Sequence, residues 1–138
     1  GAFRPVGDTD SERACCWLMQ ELAKAHASVP GIDELSCTLR ELLPELARFG
    51  TFNMLLSNGQ ALWAHASTTL WSIERRHPFG AATLADDDLS VDFAALAGEH
   101  DRVAVIATEP LTCDETWSPF AAGEIRVFCG GAFRPMAA

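Results

Sequence analysis

Thr9-Asp10-Ser11-Glu12, running on into Arg13-Ala14-Cys15-Cys16-Trp17-Leu18-Met19, joins a helix-start signature to an amphipathic face. Thr9 is placed to cap the free amides of a first turn. Glu12, three residues later, reaches back to the N–H of the cap, which makes a capping box. Cys15, Leu18, Met19, Leu22 and Ala25 recur at helical spacing, so a helix is predicted over about residues 10–27. One carboxylate, Asp10, is thereby held at the mouth of that helix, where it need not face a core.

Outward from this helix the chain reads in order. Residues 1–8 are expected to be an extended lead-in with a turn at Gly7-Asp8. Pro30-Gly31 ends the first helix, and a second begins near Ile32 with Asp33 and Glu34 in the favourable first turn. Ile32, Leu35, Leu39, Leu42, Leu43 and Leu46 supply its apolar face, and Pro44 predicts a kink or an early stop. The period then changes from helix to strand. Phe52–Ser57 and Gln60–His65 flank Asn58-Gly59, the signal for a hairpin closed by a two-residue type I′ turn. Leu70–Arg76 alternates as a third antiparallel strand, with Arg75 and Arg76 on opposite faces. Asp86-Asp87-Asp88 reads as a solvated loop, since it lacks the alternating ligands and distal glutamate of a calcium loop. Val91–Ala97 is a strand edge or a short helical turn. Arg102–Thr108 and Glu124–Cys129 are apolar strands; Glu115–Pro119 is a turn carrying a packed Trp117, and the tail beyond Gly130-Gly131 is expected to be loose.

Composition bounds the function classes. The chain has 138 residues, enough for one domain spanning 1–138 with a working core. Its formal net charge of −9 repels a phosphate backbone, and Arg75-Arg76 is the only concentrated basic pair, which argues against nucleic acid. No apolar run approaches the roughly 20 residues of a membrane span, and Gly1–Pro5 does not have the pattern of a signal peptide. Cys15, Cys16, Cys37, Cys113 and Cys129 are scattered and odd in number, which favours reduced thiols and a cytoplasmic location. No histidine stands at metal-ligand spacing, so neither a metal nor a cofactor is expected. Cys113 or Cys129 with His65, His77 or His100 has no local signature of a nucleophile pair. Ser67-Thr68 suits a turn or the lip of a pocket. Gly-Ala-Phe-Arg-Pro stands at both 1–5 and 132–136, too short and too few copies for a repeat architecture.

Several segments together resemble the class II glutamine amidotransferases. They are Phe3–Glu12 with Cys16-Trp17-Leu18, Phe52–Ser57, Ser67-Thr68, Arg75-Arg76, Ala107–Thr112, Glu115-Thr116-Trp117 and Gly123-Glu124. The resemblance covers about residues 3–129, in order, and is closest to stand-alone bacterial members. It implies an α+β, N-terminal-nucleophile-hydrolase fold of αββα layers, here incomplete: two helices followed by antiparallel hairpins. It implies that Asp10, with Thr9 beside it, binds the α-ammonium of glutamine or of a γ-glutamyl amide through a charge-assisted hydrogen bond. The family works through an N-terminal cysteine whose own α-amine is the base, with an upstream arginine and Asn-Gly holding substrate and oxyanion. Gly1 stands first here and Asn58-Gly59 lies after Thr9–Glu12, so the resemblance matches the downstream part of the domain only. No residue of the chain is then a catalytic candidate, and the chain alone is expected to be inactive. The alternative is a truncated or degenerate binding module. Either reading leaves open sheet edges for a second copy or for pairing with the missing N-terminal half.

Overall fold

The computed structural model describes residues 10–76, 79–85, 90–92 and 101–136. Contacts divide the chain into two compact units, Gly1–Thr51 with Ala137–Ala138, and Phe52–Met136. The helical unit contains α1 (Asp10–Ala25) and α2 (Ile32–Ala47). The strands of the second are β1 (Met54–Ser57), β2 (Leu62–His65), β3 (Trp71–Arg76), β4 (Ala81–Thr83), β5 (Ser90–Asp92), β6 (Arg102–Ala107), β7 (Ser118–Pro119), β8 (Ile125–Cys129) and β9 (Ala132–Arg134). The result is mixed helix and antiparallel sheet, as expected.

In α2 the predicted stripe is the one that packs: Leu35, Leu39, Leu43 and Leu46 are buried, while Ile32 and Leu42 are half-buried. Pro44 sits inside the helix, in its last turn, and the helix runs three residues beyond it to Ala47. Its ring removes the N–H that would have bonded Arg40, a small loss so close to the end. In α1 the stripe is narrower than the periodicity indicated. Leu18 is buried, Met19 and Leu22 are half-buried, and Cys15 and Ala25 are exposed. The half-buried Cys16 and Trp17 show that the packed face is rotated from the Cys15 line. Between the helices the His26 ring nitrogen Nε2 lies 2.8 Å from Thr38 Oγ1. The same hydroxyl lies 3.1 Å from the Glu34 carbonyl oxygen.

The strands form a four-stranded sheet ordered β1-β2-β8-β9, a three-stranded sheet β6-β3-β7 and the pair β4-β5. All pairings are antiparallel. The β1–β2 hairpin is present, but Ser57 pairs with Leu62, so four residues make the loop instead of two. Asn58 replaces the expected turn chemistry with its side chain, whose Oδ1 accepts from the Gln60 and Ala61 amides, both at 2.9 Å. Gly59 supplies the positive φ of +88°. The third predicted strand crosses to the other sheet, where β3 pairs with β6 from Trp71–Ala107 to Arg76–Arg102. The segment after Gly130-Gly131 is not loose: it folds back as β9 on β8. Trp117 is packed, as expected.

The core of this unit lies between the two larger sheets. Ala64, Ala66, Leu70, Phe120 and Phe128 form it, with Leu62, Ala104 and Ile106 against them. Register explains the choice. Ala64 is opposite Arg126 and Leu62 opposite Phe128, so one face of β2–β8 turns toward β3–β6. Asp86–Asp88, residues 93–97, residues 1–9 and the His77-Pro78 strand end lie outside the described residues.

Candidate functional site

Asp10 opens α1 and is exposed, with Glu12 as the other acidic residue of the first turn. The free amides of that turn make it a favourable place for an acidic side chain that faces away from the core. Thr9 and the capping contact expected of it lie outside the described residues. Asp10 thus stands at the first position of α1, on the helical unit.

The strand unit carries a second set of polar groups. Arg75, projecting from one face of β3, makes a two-pronged ion pair with Glu115, Nη2–Oε1 2.7 Å and Nε–Oε2 3.0 Å. Thr112 donates to the same carboxylate at 2.8 Å, and the indole N–H of Trp117 donates to Thr112 Oγ1 at 2.8 Å. The Arg75 hydrogen bonds hold the Glu115 carboxyl below its ordinary value despite the opposing effect of burial; Thr112 and the Arg75 charge add to this, against a small opposing push from Asp114. Arg75 is thus committed internally and is not positioned as a free carboxylate anchor. Arg76, on the other face, is exposed.

Arg126 is the residue that pattern reading missed. From β8 it donates to Glu124 Oε2 (2.7 Å), Ser72 Oγ (2.8 Å), Ser118 Oγ (3.1 Å) and the Pro119 carbonyl (2.7 Å). Its guanidinium also lies 4.0 Å above the Phe120 ring. Burial pushes the Glu124 carboxyl up, but Arg126 and the Ala121 amide outweigh it and leave the group below its ordinary value. A charged residue inside an otherwise apolar strand was the available signal. Its one distant partner, Ser72, lies 54 positions away, and the others fall among residues 118–124, so no local pattern names the set.

The remaining candidates separate. Asn58-Gly59 is a hairpin loop. Ser67 and Thr68 are a tied turn: Asn53 Oδ1 accepts from both amides, at 3.0 and 3.2 Å, and its amide nitrogen reaches Thr68 Oγ1 at 3.0 Å. His65 is buried, its ring 4.7 Å from that of Phe52 and its Nδ1 without a partner, and burial lowers its pKa. Its Nε2 is 3.5 Å from Ser67 Oγ. Cys113 is exposed and points its thiol at the Thr83 carbonyl, 3.7 Å away. His77 and His100 lie outside the described residues. All five cysteines are free thiols. Among the described residues no cluster is arranged to hold a metal ion, and no helix is long and apolar enough to cross a membrane.

Comparison with known proteins identifies the family. The family described as "Glutamine amidotransferases class-II" matches residues 1–138. The chain is 48% identical over 132 residues to YafJ of Escherichia coli (strain K12), a glutamine amidotransferase by provisional name, covering 95% of this chain and 52% of that protein. It is 38% identical over 129 residues to a similarly named Haemophilus influenzae protein, covering 94% of this chain and 44% of that protein. The crystal structure of a predicted glutamine amidotransferase from Pseudomonas aeruginosa PA01 superposes with a TM-score of 0.83 at 42% identity, covering 95% of this chain and 52% of that one. The chain thus spans about half the length, or less, of these relatives. With the family matched along the whole chain and the fold matched in a solved relative, this polypeptide belongs to the class II glutamine amidotransferases.

Proposed function

We propose that this chain is the substrate-ammonium-binding part of a longer glutamine amidotransferase, in which glutamine and water give glutamate and ammonia. The observation that carries the reading is Asp10, exposed at the amino end of α1 and free to meet a ligand. A carboxylate at that position accepts a charge-assisted hydrogen bond from the α-ammonium of glutamine or a γ-glutamyl amide, with Thr9 shaping the turn. The bond-breaking step in this family needs a cysteine thiolate that attacks the side-chain amide, takes the acyl group and releases ammonia, after which water frees glutamate. In this reading Asp10 contributes substrate binding, and the five thiols of Gly1–Ala138 all stand at internal positions.

Asp10→Asn in the polypeptide that also carries the nucleophile tests this. Losing a charged hydrogen bond of about 1.5–3 kcal/mol raises the glutamine KM roughly ten- to a hundred-fold. An unchanged KM rejects the role.

A second reading is favoured by one observation. The outer strand β1 has no neighbour on its other side among the described residues, and Leu55 on it is 56% exposed. Such an edge suits an assembly module that pairs with another chain. Tight self-association of the 138 residues, without glutamine binding, selects that reading.

A further inference from the structure

A cleft of about 410 Å³ opens between the two larger sheets of the strand unit. Its polar lining is Ser72, Glu74, Thr116, Ser118 and the Glu124–Arg126 pair, and its apolar wall is Ile73, Phe128 and Phe133. The charges there do not balance. Arg126 spends its guanidinium on Glu124, Ser72, Ser118 and the Pro119 carbonyl, so that ion pair is neutral in itself. Glu74 is left over. Its Oε1 accepts the Phe133 amide at 2.8 Å, which fixes the carboxylate at the cleft, and among the described residues no cation pairs with it. The wall beside it is aromatic, with the Phe128 and Phe133 rings edge to face at 6.0 Å.

We propose that this cleft binds an alkylammonium group. An ammonium supplies the missing charge to Glu74 and donates to Thr116 or Ser118, while its carbon stem covers the Phe133 face, an arrangement that adds cation–π attraction to the ion pair. An anion is repelled by Glu74 and by the chain's net charge of −9. A neutral apolar ligand strips water from the carboxylate and returns nothing for it. The same chemistry has two sources, a free primary amine or a lysine side chain from the additional length that the relatives carry.

The test is titration of n-butylammonium chloride into the 138-residue chain, read at the Phe133 and Thr116 amides by ¹H–¹⁵N NMR. Sodium chloride and n-butanol are the ionic and neutral controls. Saturable shifts with the amine alone are expected, weakened at least about ten-fold by Glu74→Gln. Glutamine keeps the acceptor for the Phe133 amide, so that variant removes charge without removing the contact. Thr116→Val, a smaller change on the exposed rim, is expected to weaken binding less. No saturable shift, equal shifts with n-butanol, or equal binding by Glu74→Gln overturns the proposal. Repeating the titration on the longer polypeptide separates the sources: a blocked cleft identifies an internal lysine, and an open one a free amine. Glutaminase activity is not part of the readout, so this site and the role of Asp10 stand or fall separately.

Discussion

At the residue scale, two buried titratable groups act in the same direction on acid stability for different reasons. Glu115 is tied to Arg75 and Thr112, and its carboxyl lies below its ordinary value of 4.5. Its folded pKa is depressed, so the stability it contributes is present above that value and is lost as pH falls through the folded pKa. Glu115→Gln keeps the shape but breaks a largely buried ion pair, with side chains 14% and 18% exposed. Unfolding in denaturant is expected to show a loss of about 2–4 kcal/mol at neutral pH and a shallower acid limb below pH 4.5. His65 also has a depressed pKa, here caused by burial alone. The unfolded chain takes up its proton first, so stability declines as pH falls below the ordinary 6.5. His65→Leu removes both that slope and the orphaned Nδ1, and its melting temperature at pH 6 is expected to equal or exceed that of the parent. A lower value contradicts the assignment of an unpaired ring.

At the element scale, Gly131 and Pro44 decide how two ends are made. Gly131 has φ +78°, and a Cβ there would stand 2.4 Å from the Arg102 carbonyl oxygen. The β8–β9 turn therefore packs its backbone against the start of β6. Gly131→Ala is expected to destabilise the strand unit by at least about 1–3 kcal/mol, seen as a lower denaturant midpoint. Pro44→Ala is expected to raise the melting temperature, its stabilisation falling well short of the ~3 kcal/mol that proline costs a helix interior because the site is in the last turn. These elements also show what was legible in the sequence. The helices, β1–β2 and β6 follow from periodicity, because each is set by neighbours a few residues apart. The hairpin loop was misjudged because Asn58 bonds forward with its side chain, stabilising four residues where backbone preferences alone favour two. β9 was missed since its three residues gain order from β8 and from the Glu74 carboxylate, not from their own pattern. Asp10 was legible at the helix mouth. Arg126 was not, because its role depends on which strands the fold brings together.

At the scale of the whole molecule, family membership and division of labour have to be kept apart. The match along all 138 residues establishes the family, and the chain spans about half the length of relatives in it. In the proposed reading Asp10, exposed at the amino end of α1, orients the substrate through its ammonium group. The most direct measurement is glutamate release from L-glutamine by purified Gly1–Ala138 beside a longer polypeptide extended to the length of its relatives, against a no-protein blank. Release by the longer polypeptide alone, with the 138 residues at the blank rate, is the predicted result. Glutamate formation by Gly1–Ala138 above the blank, or none from the longer polypeptide, would contradict it.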